Sequence, residues 1–352
     1  MFFSKSKNVV GLDIGSSAIK LVELKEKKAG QYQLVKVGLE PLSPEAIVDG
    51  SIMDSSLVVD TIQRLNASQG VKNSSYATSL SGHSVIIKKI TLPAMSPEEL
   101  AESIQWEAEQ YIPFDINDVN LDYVPLSSSA GGDSVDVILV AVKKEKINDY
   151  TSVISQTGKT SVIVDVDAFA LQNCYELNYP VDGHSLVALV NIGASVSNVT
   201  VMNGANSVFW RDITFGGNQY TDAIQREMNL SFAQAEALKR GESVADRNVQ
   251  QVIPILNSVS EDFASELRKT LDFFAATSGA ERVDRVVIAG GGSGVLNLDS
   301  ILREKFSIPV EIMDPFRNVA VSGGDFNPEW ISEVAPSMAV AVGLAIRKVG
   351  DA

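Results

Sequence analysis

Two stretches of this 352-residue chain carry residue types that can hold phosphate. The first is Val9-Val10-Gly11-Leu12-Asp13-Ile14-Gly15-Ser16-Ser17-Ala18-Ile19-Lys20. An apolar run leads into an acid, a glycine, two hydroxyls and, three residues on, a lysine. Gly15 lets the backbone approach a ligand closely, and Ser16 and Ser17 offer amides and hydroxyls to an anion. Lys20 can reach phosphate oxygens. Asp13 stands where a divalent cation can be held through one carboxylate and several waters. The chemistry is that of a nucleotide phosphate clamp. A plain hairpin turn is the competing reading, because Asp-x-Gly is common in turns.

The second stretch repeats the first. Leu186-Val187-Ala188-Leu189-Val190-Asn191-Ile192-Gly193 has a polar residue two before its glycine, and Ser195 and Ser197 fall where the first copy has its hydroxyls. A diverged duplication is the economical explanation. A third stretch, Arg285 to Gly294, is a short apolar strand entering a glycine-rich turn suited to a flat ligand face.

Other chemistries fail on their spacing. Gly158-Lys159-Thr160 lacks the P-loop glycine, since Val153 occupies its place, and it ends a helix where a P-loop begins one. Gly290 to Gly294 lacks the dinucleotide spacing. His83 and His184 are the only histidines and lie far apart, so no zinc site or nucleophilic triad assembles; His184 reads as a hinge residue in Pro180 to His184. Cys174, the single cysteine, reads as a small buried hydrophobe. Lys+Arg 29 against Asp+Glu 44 gives a net charge of −15, which excludes a general affinity for nucleic acid or anionic membrane. No signal peptide and no apolar run of membrane-spanning length is found, and a cytoplasmic location is expected.

The elements that must position these residues follow in order. Strands are expected at Val9 to Ile14, Ala18 to Leu24 and Tyr32 to Leu39. A helix capped by Asp54 and closed by Gly70 comes next, then a strand from Tyr76 to Leu80. From Ser84 to Lys159 the pattern is a compact three-strand, two-helix module. Its first helix opens on the Ser96/Glu99 capping box, its second runs from Lys144 to Thr157, and a flexible link covers Ser127 to Gly132. After a strand to Val166 and a helix from Ala168 to Leu177, the three-strand order returns at Leu186. Helices then fill Gly217 to Thr277, strands follow near Arg285 and Ile308, and a last helix spans Ala335 to Val349. The expected division is 1–83 with 160–185, an insert at 84–159, 186–216 with 283–352, and a helical part at 217–282.

A hairpin clamp, an insert, a second clamp, a helical subdomain and a strand ending in glycines is the motif order of the actin-like ATPases. The chain resembles actin, MreB, DnaK and FtsA in that order. The resemblance implies an α/β, actin-like (ribonuclease H-like) duplicated two-domain fold with an FtsA-type inserted subdomain. It implies ATP and Mg2+ as cofactors, the metal held by Asp13 through water. The first phosphate loop would be Asp13, Gly15, Ser16, Ser17 and Lys20; the second, Asn191, Gly193, Ala194 and Ser195. Gly290, Gly291, Gly292 and Ser293 would meet the adenosine, with Gly216, Gly217, Glu236 and Lys239 around base and ribose. The connecting helices would be Asp167 to Leu177 and Ala335 to Arg347. Catalytic roles would fall to Asp13, to Asp167 near an acid of MreB, and to Gln172 near the glutamine of actin. Asn191 and Ala194 depart from the family's acids, so ATP binding with slow or negligible hydrolysis is expected.

The position of the insert is that of FtsA. Within that group the chain most closely resembles the PilM proteins of type IV pili, through its opening motif, Tyr111-Ile112-Pro113-Phe114 and Asp314-Pro315-Phe316. This implies an ATP-binding adaptor of the pilus assembly platform that binds the N-terminal cytoplasmic tail of PilN and switches with nucleotide state. The groove is expected at Val85 to Met95 with the helix Pro97 to Tyr111. Other platform proteins and the assembly ATPases are further implied partners. The residues after the last helix lack FtsA's linker and anchor, so membrane contact is expected only through partners. A filament-forming, self-associating ATPase like FtsA is the alternative. A small-molecule kinase of the same superfold is a third reading, against which the altered second loop argues.

Overall fold

The computed structural model describes residues 8–126, 133–183, 185–244, 247–279, 282–322 and 324–350. The expected link Ser127 to Gly132 and the hinge residue His184 lie outside them. The first half opens with an antiparallel meander, β1 (Val10–Ile14), β2 (Ala18–Lys28) and β3 (Gln31–Pro41). A small hairpin, β4 (Ile47–Val48) and β5 (Ser51–Ile52), leads to helix α1 (Ser55–Gln69). The Asp54 carboxylate accepts from the Leu57 amide, and Gly70 closes the helix at φ 59°, where a side chain would be strained. Strand β6 (Ser75–Leu80) then returns parallel to β1.

The insert contains β7 (Val85–Pro93), α2 (Pro97–Glu109), β8 (Val119–Pro125) and β9 (Ser134–Lys143), with sheet order β7-β9-β8. The Ser96/Glu99 capping box forms, with Pro97 in the first turn. Ile90, Leu92, Leu100, Ile104 and Leu139 make the module's own small core. Helix α3 (Lys144–Gln156), expected inside the module, packs elsewhere. Its Tyr150, Val153 and Ile154 join Val58 and Ile62 of α1 over the first sheet. Strand β10 (Thr160–Val166) follows beside β6, then helix α4 (Asp167–Asn178). The module therefore interrupts the link from β6 to α3. Its two crossings are tied where the Lys143 amide donates to the Ser84 carbonyl at 3.1 Å.

The second half repeats the plan with β11 (Leu186–Ile192), β12 (Ser197–Asn203) and β13 (Asn206–Ile213), then α5 (Gly217–Met228), α6 (Phe232–Lys239) and α7 (Val249–Ser278). Strands β14 (Arg285–Ala289) and β15 (Val310–Ile312), with α8 (Leu298–Phe306) between, complete a sheet of order β13-β12-β11-β14-β15. The duplication shows in the register. Asp13 faces Lys20 across the first hairpin, and Asn191 faces Asn198 across the second.

The C-terminal part departs from expectation. Strand β16 (Val319–Ala320) pairs with β3, so this segment, expected in the second half, adds to the first sheet. Helix α9 (Pro328–Val334) follows it and leads to the last helical stretch, which is a 3-10 turn, Ala335–Met338, and a short helix α10 (Ala339–Ala345). Pro336 has no amide to donate to a regular helix, and beyond Ala345 the chain turns so that Arg347 meets Asp165. Helices α4 and α10 lie between the two sheets. Leu171, Cys174, Met338 and Val342 pack with Val22 and Leu24 of one sheet and Val187, Leu189 and Val287 of the other. Burial pushes the Cys174 thiol pKa up, in keeping with an inert hydrophobe. The helices cross closely, since a Cβ on Gly343 would lie 1.7 Å from the Ala170 carbonyl oxygen. Among the described residues no helix is long and apolar enough to cross a membrane.

Candidate functional site

Both hairpins aim their turns into one crevice between the halves, a cavity of about 110 Å3. Asp13, Gly15, Ser16, Lys20, Asp167, Asn191, Gly193, Ala194, Ser195, Gly290 and Gly291 all line it. The turns touch: Ser16 Oγ and Ser195 Oγ lie 3.1 Å apart, within hydrogen-bond distance. The register that sets Asp13 opposite Lys20 makes an ion pair of 3.0 Å. Burial raises the Asp13 pKa, with Lys20 opposing and the charge of Asp167 adding to the rise. Ser79 Oγ donates to Asp167 Oδ1 at 2.5 Å. Gly290, at φ 85°, closes the third side; a Cβ there would sit 2.4 Å from the Ile192 carbonyl oxygen.

On the second hairpin a polar chain replaces the acid–lysine pair. Asn191 Nδ2 donates to Asn198 Oδ1 at 3.1 Å, and Asn198 Nδ2 donates to Asp212 Oδ1 at 2.8 Å. Asp212 Oδ2 accepts from the Gly82 amide at 2.8 Å, bridging the second half to the end of β6. Burial raises the Asp212 pKa against these hydrogen bonds.

The remaining expected residues divide into three groups. Ser17 is exposed and its carbonyl accepts from the Leu42 amide, so it serves the turn and does not line the cavity. Gly216, Gly217, Glu236, Lys239, Gly292 and Ser293 do not line it either. Several of them brace the turns that do. The Gly217 amide donates to the Gly193 carbonyl, Lys239 Nζ to the Gly217 carbonyl at 3.1 Å, and Ser293 Oγ to the Gly290 carbonyl at 2.7 Å. Lys239 also pairs with Glu236 at 2.6 Å. Gln172, expected to be catalytic, does not reach the cleft. Its amide donates to Glu176 and to the Ala205 carbonyl, in a different cavity.

The expected set omitted Gly50, Ser81, Gly82, His83 and Tyr150, which also line the cleft. Residues just past β6 belong there because ligands of parallel sheets bind at the carboxyl ends of the strands. That rule, applied to Tyr76 to Leu80, finds Ser81 to His83.

The donor set fits a phosphate chain: hydroxyls and turn amides from both halves, one lysine, and an acid placed for a water-bound Mg2+. Among the described residues no three His, Cys, Asp or Glu converge as a protein-built metal cage. The volume lies below the roughly 300 Å3 at which ligand pockets begin. Entry of a whole nucleotide therefore requires the halves to part and the Ser16–Ser195 contact to open.

A second cavity, a groove of about 640 Å3, runs beside the module. Leu121 and Tyr123 of β8 and Val140 of β9 form one wall, and Val164 of β10 with Phe169 of α4 the other. Strands β8 and β10 are each the outermost of their sheets. Val164 is 38% exposed. On the floor, Arg347 Nε and Asp165 Oδ2 face each other at 3.3 Å without the alignment of a hydrogen bond, so both atoms, like Asn173 Nδ2, keep unmet bonding capacity. The groove was expected at β7 and α2. At that place Val85, Ile86 and Ile87 of β7 line a smaller cavity of about 460 Å3 with Phe114 and Trp210, while Ile90 and Leu92 are buried in the module core and it is β8 that meets β10 at the larger groove.

Residues 11–349 match the family described as "Type IV pilus assembly protein PilM". The chain belongs to the PilM family. Of solved structures, one described as "PilM-PilN type IV pilus biogenesis complex" superposes with a TM-score of 0.88 at 29% identity, over 98% of this chain and 100% of that one. The ethanolamine utilization protein EutJ from Carboxydothermus hydrogenoformans gives 0.60 at 13% identity, over 97% and 89%. MreB5 of Spiroplasma citri bound to ADP gives 0.52 at 12%, over 96% and 94%. The last two likenesses are of fold alone, and the fold is actin-like, as the motif order implied. This PilM-family chain thus has, among its cavities, a polar cleft between its halves and a larger groove beside its module.

Proposed function

We propose that this PilM-family protein is a nucleotide-binding adaptor of the type IV pilus assembly platform. It takes the N-terminal cytoplasmic tail of a PilN-type partner into the groove and ATP with Mg2+ into the cleft. Its place is the cytoplasmic face of the inner membrane, reached through partners. The observation that carries the partner reading is the groove itself. Two open strand edges, apolar pockets and unmet polar atoms suit an extended peptide, which adds main-chain hydrogen bonds to an edge and side chains to pockets. The relative solved as a PilM-PilN complex supports the class of partner.

In the cleft, Lys20, Ser16, Ser195 and the turn amides would hold phosphate oxygens, and Asp13 would hold Mg2+ through water. ATP supplies the negative charge that draws the two loops onto one ligand. Hydrolysis is at most slow. Asn191 and Ala194 bring no carboxylate, Gln172 lies in the groove, and Asp167 is engaged by Ser79. The groove is walled by the module, by α4 of the first half and by Ala205 to Ser207 of the second, so a change in closure changes the groove.

Fluorescence anisotropy with a labelled PilN-tail peptide tests the partner reading. Val164→Arg, which fills the groove with a charged stem, should weaken binding about tenfold or more, while Trp106→Ala on the exposed face of α2 leaves it unchanged. Equal binding by Val164→Arg and the parent would rule the groove out.

A further inference from the structure

Lys146 has a buried charge and no acid to meet it. It stands in the first turn of α3, three residues after β9 ends at Lys143, and is 8% exposed. Its ammonium donates to the Ser81 carbonyl. Among the described residues no carboxylate lies within ion-pair distance of it. A Cβ on Gly50 would lie 2.8 Å from Nζ, and one on Gly82 3.9 Å. Gly50, Ser81 and Gly82 all line the cleft that holds Asp13 and Asp167. Tyr150, one turn further along α3, lines it too, and its hydroxyl donates to the Gly50 carbonyl at 3.1 Å.

Removing an ammonium from water is costly unless an anion and further hydrogen bonds replace the lost hydration. Here the protein supplies one neutral carbonyl, the face of the Tyr150 ring 5.7 Å away and the more distant charges of Asp167 and Asp212, none of them an ion-pair partner, and burial still pushes the Lys146 pKa down. The same Ser81–Gly82 turn is tied to the second half through Asp212 and leads into the module at Ser84. A cation therefore stands behind the cleft wall where the first half, the second half and the module meet.

We propose that Lys146 is a positioning residue for the terminal phosphate of a bound nucleoside triphosphate. It holds the Ser81–Gly82 turn with positive charge at the carboxylate end of the cleft, and the triphosphate supplies the anion that its burial leaves wanting. A diphosphate, one phosphoryl group shorter, does not. This rests on the nucleotide reading of the cleft.

The test is titration of a non-hydrolysable ATP analogue and of ADP, each with Mg2+, into the parent and into Lys146→Met, which keeps most of the unbranched side chain and removes its charge. The parent should prefer the triphosphate. Lys146→Met should weaken the analogue about tenfold or more, between the bulk-water and protein-surface sizes of one charge interaction at ~4 Å, while ADP moves far less. A purely structural lysine would shift the melting temperature without ligand and leave the triphosphate-to-diphosphate ratio unchanged, and that result would overturn the proposal. Lys146→Gln, smaller and polar, gives the same comparison should the Met variant fold poorly. A parent that binds neither nucleotide overturns the cleft reading as well; a parent that binds both, with a ratio that neither variant alters, overturns only the role of Lys146.

Discussion

Asp13 and Lys20 are neighbours because seven residues of hairpin set them opposite each other, and the pair is half-buried on the wall of the cleft. Mg2+ and ATP at about 100 times the dissociation constant should raise stability by about 2.7 kcal/mol. Thermal melts should show that gain in the parent and its loss in Asp13→Ala. Asp212 offers a pH test. Burial raises its folded pKa above the unfolded value of about 3.9, so the folded protein holds this proton more tightly than the unfolded chain. Its contribution is fully present below about pH 4 and is lost as pH rises through the folded value. Asp212→Asn gives up the Gly82 hydrogen bond but also that slope. Urea denaturation should find the variant gaining on the parent between pH 4 and pH 7. The first hairpin's contribution to the cleft was legible in the sequence because its residues are consecutive on one turn. Asp212 and Lys146 were not, because they hold the Ser81–Gly82 wall of the cleft from behind, from β13 and α3, far along the chain. Gln172 misled for a geometric reason. Five residues beyond Asp167 on a helix is roughly 140° around the axis, which turns it to the other face.

At the scale of elements, α4 and α10 join the halves, and their crossing is as close as backbone allows. Gly343 against Ala170, and Gly11 against Ala341, leave no room for a side chain. Gly343→Ala should cost at least the ~1–3 kcal/mol typical of overpacking, seen as a lowered melting temperature. Beside this crossing four side chains stack: Arg285 over Tyr175, Tyr175 on Tyr179 with ring centres 5.2 Å apart, and Arg317 over Tyr179. They fix the end of α4 to the second half. Helices with local signals at their ends, α1 and α2, were readable from Asp54, Gly70, Ser96 and Glu99 alone. The allegiance of α3 was not. Its apolar stripe says that it packs, but nothing in Lys144 to Gln156 says on which sheet. The short pairing of β16 with β3 carries even less local pattern.

For the whole molecule, the groove and the cleft share the first and second halves as walls, so their occupants cannot be independent if closure moves either. Linkage requires the coupling to be reciprocal. Peptide affinity measured with and without the ATP analogue, and analogue affinity with and without peptide, should change by one common factor of about five or more. Independence of the two would mean that the groove ignores the cleft. The repeat in the sequence announced the two halves. A groove beside the module was expected, but its walls could not be foreseen, because they depend on which edge of a three-stranded sheet turns toward which edge of another.

The hydrogen bond from the Lys143 amide to the Ser84 carbonyl has an evolutionary and practical corollary. It brings the two ends of the insert side by side, so the host domain sees the module as a single long loop between β6 and α3. Such a loop can be exchanged without asking the host to refold, since lengthening a closed loop adds little entropy cost. A grafted module from a relative with a different pilus partner should therefore carry its β8 wall with it. Partner choice should then travel with the module as far as its β8 and β9 wall sets it, while the cleft between the halves stays with the recipient.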